Sequence, residues 1–428
     1  MPEVALAFIG CKLNRYEIQA MSESLENSGF GIVPFDQKAD CYIINTCSVT
    51  GGAEVTSRQL IRRARRRSPD SKVVVTGCYA QLKPDEIKRI GIDLVVTNPE
   101  KERLPSKIAG LFGNGHDSSE IEQTDEFGSS TISSMGNLTR GFVKIQEGCD
   151  RKCTYCTIWM TRGPLRSRRP EFIIAEINRL SENGYKEIVL TGVHIGKYSY
   201  DNINITGILE MILKETDMPR IRLSSLHPEE VDDRLVSLMS SNSRICPHVH
   251  VSIQSGDDDI LRAMGRGYSR DDVFDTISAL KSFIPGITVG ADMIVGFPGE
   301  TDQNFKNSYA LVKGAGIHHL HVFPFSSRPG TRAAEMPGQI GPGLKKSRLT
   351  ILKGLGKRLK NDHLKSFVGR ELQVLFESRN GNGNGELTGL SENYLRIFAK
   401  GSSAYQGRIV GVRVIAINGD SLRAEVVE

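Results

Sequence analysis

At 428 residues the chain is too long for one comfortable core, so two or three domains are expected. Its 55 Lys plus Arg against 50 Asp plus Glu leave a net charge of +5, which permits a polyanionic partner without demanding one. No run reaches the length of apolar sequence a membrane span needs, and the start, MPEVALAFIGCKLNRYE, lacks a basic leader and cleavage site, so a cytoplasmic protein without a membrane partner is expected.

The first apolar runs, 4–9, 41–45, 73–76 and 93–96, are short and separated by helical patterns such as Tyr16–Ser28 and Pro84–Ile90. Their nearly unbroken apolar character suits a parallel sheet covered on both faces, so residues 1–113 read as an open parallel α/β domain. Three runs have a cysteine just beyond their end: Cys11, Cys47 and Cys78. Parallel strands bring such ends to one sheet edge, where open α/β folds bind ligands. Buried apolar thiols are the other reading of these three, and the preferred one for Cys41 and Cys246.

Between Cys47 and Cys78, SRQLIRRARRRSP carries Arg58, Arg62, Arg63, Arg65, Arg66 and Arg67 without an acid. Helical spacing puts Arg58, Arg62 and Arg66 on one broad face, suited either to phosphates or simply to solvent. Residues 114–138 are polar, Ser/Gly-rich and aperiodic, and read as a linker.

From Gly141 the α/β rhythm resumes in longer units, with strands expected at 142–146, 187–191, 220–224, 249–253, 288–295 and 317–323. Helices are expected at Glu171–Asn183, Ile205–Glu215, Asp271–Ser282 and Gln303–Ala315. Six units fall short of a full eightfold barrel, so residues 139–366 read as a partial (β/α)6 barrel closed by a basic helix, Lys345–Lys365. In the tail, 367–428, the runs 370–376, 394–400 and 408–417 with GNGNGE and NGD turns indicate a small antiparallel β-barrel.

The densest chemical signal is EGCDRKCTYC, which sets Cys149, Cys153 and Cys156 behind the first barrel strand. Three thiolates can hold three irons of a cubane and leave the fourth iron open to a chelating cofactor. Structural zinc wants four ligands, and no fourth Cys or His lies close in sequence; zinc and unligated thiols remain the alternatives on spacing alone. A second basic group, RGPLRSRRP, follows immediately with Arg162, Arg166, Arg168 and Arg169.

The cysteine motif, with Tyr155 before its last member, resembles that of the radical S-adenosylmethionine superfamily. Together with CKLN at 11–14, INTC at 44–47, TGCYAQ at 77–82 and a tail similar to the TRAM barrel, the whole chain resembles the methylthiotransferases. The resemblance implies two [4Fe–4S] clusters, one on Cys149, Cys153 and Cys156 and one on Cys11, Cys47 and Cys78. It implies S-adenosyl-L-methionine held near Tyr155, Thr191, Gly192, Ser224, Ser225, Gln254, Arg266, Ile294 and Gly296. It also implies a tRNA anticodon stem-loop partner, met by Arg58, Arg62, Arg63, Arg66, Arg162, Arg166, Arg168, Arg396 and Lys400, and an electron donor such as flavodoxin or ferredoxin.

CKLNRYE, INTCSVT, VTGCYAQ and GYKEIVLTGVHIGKY resemble most the subgroup that acts on tRNA N6-threonylcarbamoyladenosine, which implies methylthiolation at C2 of the adenosine beside the anticodon. The alternatives are isopentenyladenosine in tRNA, a ribosomal-protein aspartate, or a non-catalytic iron–sulfur module that binds RNA. The run Cys156-Thr157-Ile158-Trp159 departs from the CIIP-like continuation frequent in the family.

Overall fold

Strands β1 (Glu3–Phe8), β2 (Gly31–Val33), β3 (Cys41–Thr46), β4 (Lys72–Gly77) and β5 (Leu94–Val96) pair in parallel in the order β2-β1-β3-β4-β5. Alternation along them divides the apolar residues between two layers. Val4, Ile43 and Val74 face Met21 and Leu25 of helix α1 (Lys12–Asn27), while Tyr42, Ile44, Val73 and Val75 face Ile61 and Ala64 of helix α2 (Gly51–Arg67). Helix α1 starts at Lys12, ahead of the Tyr16 expected from periodicity, so the CKLN segment is the helix start. The computed structural model describes residues 1–113, 127–128, 131–379 and 386–427.

Six further parallel strands follow in two contiguous arcs. Gly141–Lys144, Glu187–Thr191 and Arg220–Leu223 form one arc; His248–Gln254, Thr288–Val295 and His319–Pro324 form the other. The chain passes between the arcs through Ser225–Leu226, which pairs with His248–Gln254. Among the described residues, Gly141–Lys144 and His319–Pro324 each pair on one side only, so the wall is a partial barrel open between them. Helices cover the outside, and the interior alternates Glu187, Arg222, His248, His250, Asp292 and His321 among its apolar neighbours. Helix Pro342–Lys365 lies against His319–Pro324 and ends the unit.

The last five strands, Glu371–Arg379, Glu386–Ser391, Arg396–Lys400, Ile409–Asn418 and Ser421–Val426, close into a barrel around Val374, Phe376, Ile397, Val412 and Leu422. Its pairings are antiparallel except Arg396–Lys400 with Ser421–Val426. The strand expected from residue 394 begins at Arg396, because Tyr394 sits in a turn with φ +67°.

Most of the expected 114–138 connection, residues 114–126 and 129–130, lies outside the described residues. Its end is not free: Ile132 and Met135 are buried in the central core, and the backbone N–H of Ser133 donates to Glu23 of α1 at 2.7 Å.

Candidate active site

Parallel pairing puts the ends of β1, β3 and β4 side by side, and the three cysteines follow there. Cys47 and Cys78 are buried and Cys11 is exposed. Gly10 precedes Cys11 with φ +107°, and a Cβ there would stand 2.8 Å from the Cys47 sulfur; only glycine lets the two segments approach so closely. Burial pushes the Cys47 thiol up to about 11, and the neighbouring Cys78 and Cys11 sulfurs add to the shift. Three soft donors sharing one electrostatic neighbourhood at a sheet edge suit an iron–sulfur cluster.

The second set stands in the loop after Gln146–Glu147. Gly148, at φ +77°, turns the chain where a Cβ would strike the Pro164 carbonyl. The Cys156 N–H donates to the Cys153 carbonyl at 3.1 Å, which closes the motif into a tight turn. Burial raises the Cys156 thiol to about 12, reinforced by Cys153 and Cys149, so these sulfurs too are mutual neighbours. Donors already wait for negative charge on the sulfurs: Arg266 Nη1 lies 3.5 Å from Cys153 Sγ and the Ile158 N–H 3.4 Å from Cys156 Sγ. The latter belongs to the short helix Ile158–Arg162, the local form taken by the unusual TIW continuation.

That short helix joins the two sets. Arg162, 4% exposed, donates from Nε to Cys78 Sγ at 3.2 Å, from Nη1 to Glu147 at 2.9 Å, and from Nη2 to Asn14 at 2.7 Å. Arg162 and Lys101 also pair with Glu17. Burial alone would push Glu17 up, but Arg162, Lys101 and Lys144 outweigh it and hold the carboxyl well below its usual range. Asn98 Nδ2 donates to the Thr161 carbonyl at 2.7 Å, and Arg328 reaches Glu54 at 3.1 Å and the Ser48 carbonyl at 2.6 Å. The two cysteine edges are therefore fastened face to face by buried charge.

Around Cys149–Cys156, most of the expected cofactor residues lie at or just past C-terminal strand ends, while Tyr155 lies in the cysteine loop and Arg266 after helix Asp258–Met264. Thr191 and Gly192 end Glu187–Thr191, and a Cβ on Gly192 would stand 2.7 Å from the Gln146 carbonyl. Ser224 donates its N–H to the Leu190 carbonyl at 3.1 Å, and Ser225 is exposed. Gln254 has a left-handed backbone, φ +71°, and no side-chain partner among the described residues, so its amide stays available at the barrel rim. Gly296, φ +72°, donates its N–H to Glu300 at 3.1 Å, while Ile294 is half-buried just before it. Tyr155 meets Phe297 edge-on at 6.5 Å. Arg266 also bonds Tyr268 and the Ser252 carbonyl, each at 2.7 Å.

Sequence reasoning did not single out His194, which ends TGVH. Its Nδ1 lies 3.7 Å from Cys149 Sγ, and its Nε2 is bound to Glu230. Nor did it find the pair of imidazoles on Asp292, His250 at 3.1 Å and His321 at 3.3 Å, whose strands are neighbours only after folding.

The structure buries two of the residues expected on RNA, Arg162 and Arg168, and pairs two others, Arg58 and Arg396, with carboxylates while leaving them partly exposed. Arg162 is buried as described. Arg168 is 0% exposed and pairs with Glu176 at 3.0 Å. Arg58 bonds Tyr79 and Glu86 at 2.8 and 3.1 Å, and Arg396 pairs with Glu377 at 2.6 Å. Carboxylates that reach them only on folding pair with these guanidiniums. Arg62, Arg63, Arg66 and Lys400 are exposed, and Arg166 lies half-buried over Phe127 at 4.6 Å.

Residues 143–312 match the radical SAM superfamily, residues 3–97 the uncharacterized protein family UPF0004 and residues 365–427 the TRAM domain. The chain is 37% identical to a threonylcarbamoyladenosine tRNA methylthiotransferase of Thermotoga maritima, covering 100% of this chain and 98% of the relative. The enzyme of that name from Bacillus subtilis is 36% identical over 97% and 94%. A tRNA-2-methylthio-N(6)-dimethylallyladenosine synthase of Finegoldia magna is 30% identical over 100% and 95%. Among solved structures, the radical S-adenosylmethionine methyltransferase TsrM from Kitasatospora setae, with cobalamin and a [4Fe-4S] cluster bound, superposes with TM-score 0.61 at 16% identity, covering 78% of this chain and 77% of that one. The cobalamin-dependent radical enzyme OxsB gives 0.55 at 13%, over 85% and 56%. Both share the fold.

Proposed function

The chain belongs to the radical S-adenosylmethionine methylthiotransferases, and on that premise we propose that it replaces the C2 hydrogen of N6-threonylcarbamoyladenosine, beside the tRNA anticodon, with a methylthio group. The observation that carries this reading is the meeting of two strand-end cysteine sets across Arg162. An aromatic C–H is neither acidic nor open to polar displacement, so its replacement calls for radical chemistry.

Cys149, Cys153 and Cys156 are the proposed ligands of one [4Fe–4S] cluster, and Cys11, Cys47 and Cys78 those of a second. When bound, a cluster with one iron free of protein ligands supplies the electron that cleaves S-adenosylmethionine to methionine and a 5′-deoxyadenosyl radical. The rest is the work of side chains and backbone. Arg266 fixes Cys153 against Tyr268 and the Ser252 carbonyl, so that sulfur keeps its place when charged. Gly192 and Gly296 let the strand ends pack against Gln146 and Lys345 where a Cβ would clash, which fixes the rim, and the free amide of Gln254 is available for the cofactor's ribose or adenine. Arg162 donates to Cys78, which favours negative charge on that sulfur and fixes its distance from the other set.

In this division of labour residues 1–113 present sulfur, 139–366, joined to them by way of 114–138, generate the radical, and 367–428 grip RNA. Arg62, Arg63, Arg66 and Lys400 are the cations proposed to meet phosphates. A flavodoxin or ferredoxin in the cytoplasm is the proposed reductant. The test is anaerobic reaction of the reconstituted full chain with tRNA carrying either threonylcarbamoyl- or isopentenyl-adenosine, reading nucleoside mass by liquid chromatography and mass spectrometry. A methylthio product from the threonylcarbamoyl substrate is expected; product from the isopentenyl substrate alone would overturn the choice of base.

A further inference from the structure

Around the opening of the partial barrel, Arg222, Arg140 and Asp292 are each committed to partners among the described residues. Arg222 is held by Glu187 at 2.7 and 3.1 Å and by the Glu392 carbonyl at 3.0 Å. Arg140 pairs with Glu377 at 3.1 Å, and Asp292 accepts from His250 and His321. Lys12, the first residue of α1 and the chain neighbour of Cys11, is half-buried and has no hydrogen bond or ion pair among the described residues. The groups that act electrostatically on it are Tyr394, Arg140, Arg222 and Asp292. Helix α1 packs on Gly141–Lys144, one of the two strands bordering the opening. Tyr394 comes from the C-terminal barrel, with the guanidinium of Arg140 at 5.8 Å and that of Arg222 at 5.0 Å from its ring. Lys12 thus stands where all three units meet.

We infer that Lys12 is the specificity residue that binds the carboxylate of the threonylcarbamoyl group on the substrate adenosine. The inference rests on the function proposed above and names the contact that selects its base. An ammonium drawn partly out of water without a counter-ion is costly, and a carboxylate brought by the substrate removes that cost, whereas an isopentenyl group leaves it unpaid. The placement fits the chemistry of the base. C2 and the N6 substituent of adenine lie on the same, Watson–Crick, edge. A base whose C2 faces sulfur beside Cys11 must therefore present its N6 substituent a few ångströms away, and consecutive residues are about 3.8 Å apart at Cα. The Tyr394 hydroxyl, which shares that electrostatic neighbourhood, offers the same carboxylate a second donor.

The experiment measures, on the anaerobically reconstituted full chain, affinity for an anticodon stem-loop bearing the threonylcarbamoyl group and for the same stem-loop with its carboxylate converted to the uncharged carboxamide. The preference between the two is a ratio taken on one protein, so it does not depend on the fraction that folds or loads iron. The parent chain is expected to prefer the carboxylate by about 10- to 100-fold. Lys12→Gln should abolish that preference by weakening only the charged ligand, and Lys12→Arg should keep most of it. Retention of the full preference in Lys12→Gln, or equal weakening of both ligands, overturns the assignment of Lys12 while leaving the reaction intact. A parent chain that favours an isopentenyl stem-loop over both overturns the underlying function as well.

Discussion

At the scale of single residues, Arg162 shows how chemistry and folding share a side chain. It touches a cysteine of the N-terminal set while belonging to the segment just after the second set. Its carboxylate partners Glu17 and Glu147 are themselves buried, so removing it strands negative charge inside the protein. Loss of one partner of a buried pair costs about 3–5 kcal/mol. Arg162→Ala is therefore expected to lower the denaturation midpoint of the apoprotein clearly and to reduce iron bound at the N-terminal site. A variant as stable and as fully loaded as the parent, by denaturant melt and iron assay, contradicts this role. The run RGPLRSRRP gave no hint of it. Three of its arginines read alike in sequence, yet Arg162 and Arg168 are internal and Arg166 lies over an aromatic ring, because Glu17, Glu147 and Glu176 approach only after folding.

At the scale of elements, the junction of helix Pro342–Lys365 with strand His319–Pro324 is acid-sensitive. His363 stacks on His318 at 3.6 Å and shares a hydrogen bond with Thr288 at 2.9 Å. Burial lowers His363 to about 4, helped by the Lys281 charge, and lowers His319 to about 4, helped by His321. In the unfolded chain these imidazoles take up protons near pH 6.5, whereas in the folded chain they wait until about 4. Between those values the unfolded state binds more protons, so stability is full above about pH 6.5 and falls as pH is lowered towards 4. Melting temperature measured across this window should drop steadily for the parent and less for His363→Gln; parallel curves contradict the assignment. Such contacts explain why some elements were legible in sequence and others were not. The buried strands Cys41–Thr46, Glu187–Thr191 and Thr288–Val295 announce themselves because parallel pairing demands unbroken apolar runs. Gly31–Val33 is too short to carry a pattern, and Glu386–Ser391 mixes Gly, Thr and Ser whose burial is decided by closure of the barrel.

At the scale of the whole molecule, three units close on one space. Buried pairs such as Arg328 with Glu54 hold the first unit to the second, and Arg220 and Arg222 bond carbonyls of the C-terminal barrel. The strand-end cysteines were legible because each follows a local apolar run; that the two sets face one another was not, since it depends on contacts between residues far apart in sequence, such as Arg162 with Cys78 and Glu17. The central claim is that each set holds its own cluster and that both are needed for transfer. It is tested most directly by iron quantitation with Mössbauer spectroscopy on the anaerobically reconstituted chain and on the triple variant Cys11→Ala, Cys47→Ala, Cys78→Ala, with 5′-deoxyadenosine and methylthiolated nucleoside measured together. About eight irons in the parent, about four in the variant, and a variant that still forms 5′-deoxyadenosine but no methylthio product are the predicted result. About four irons in both proteins, with product formation unchanged, would contradict it.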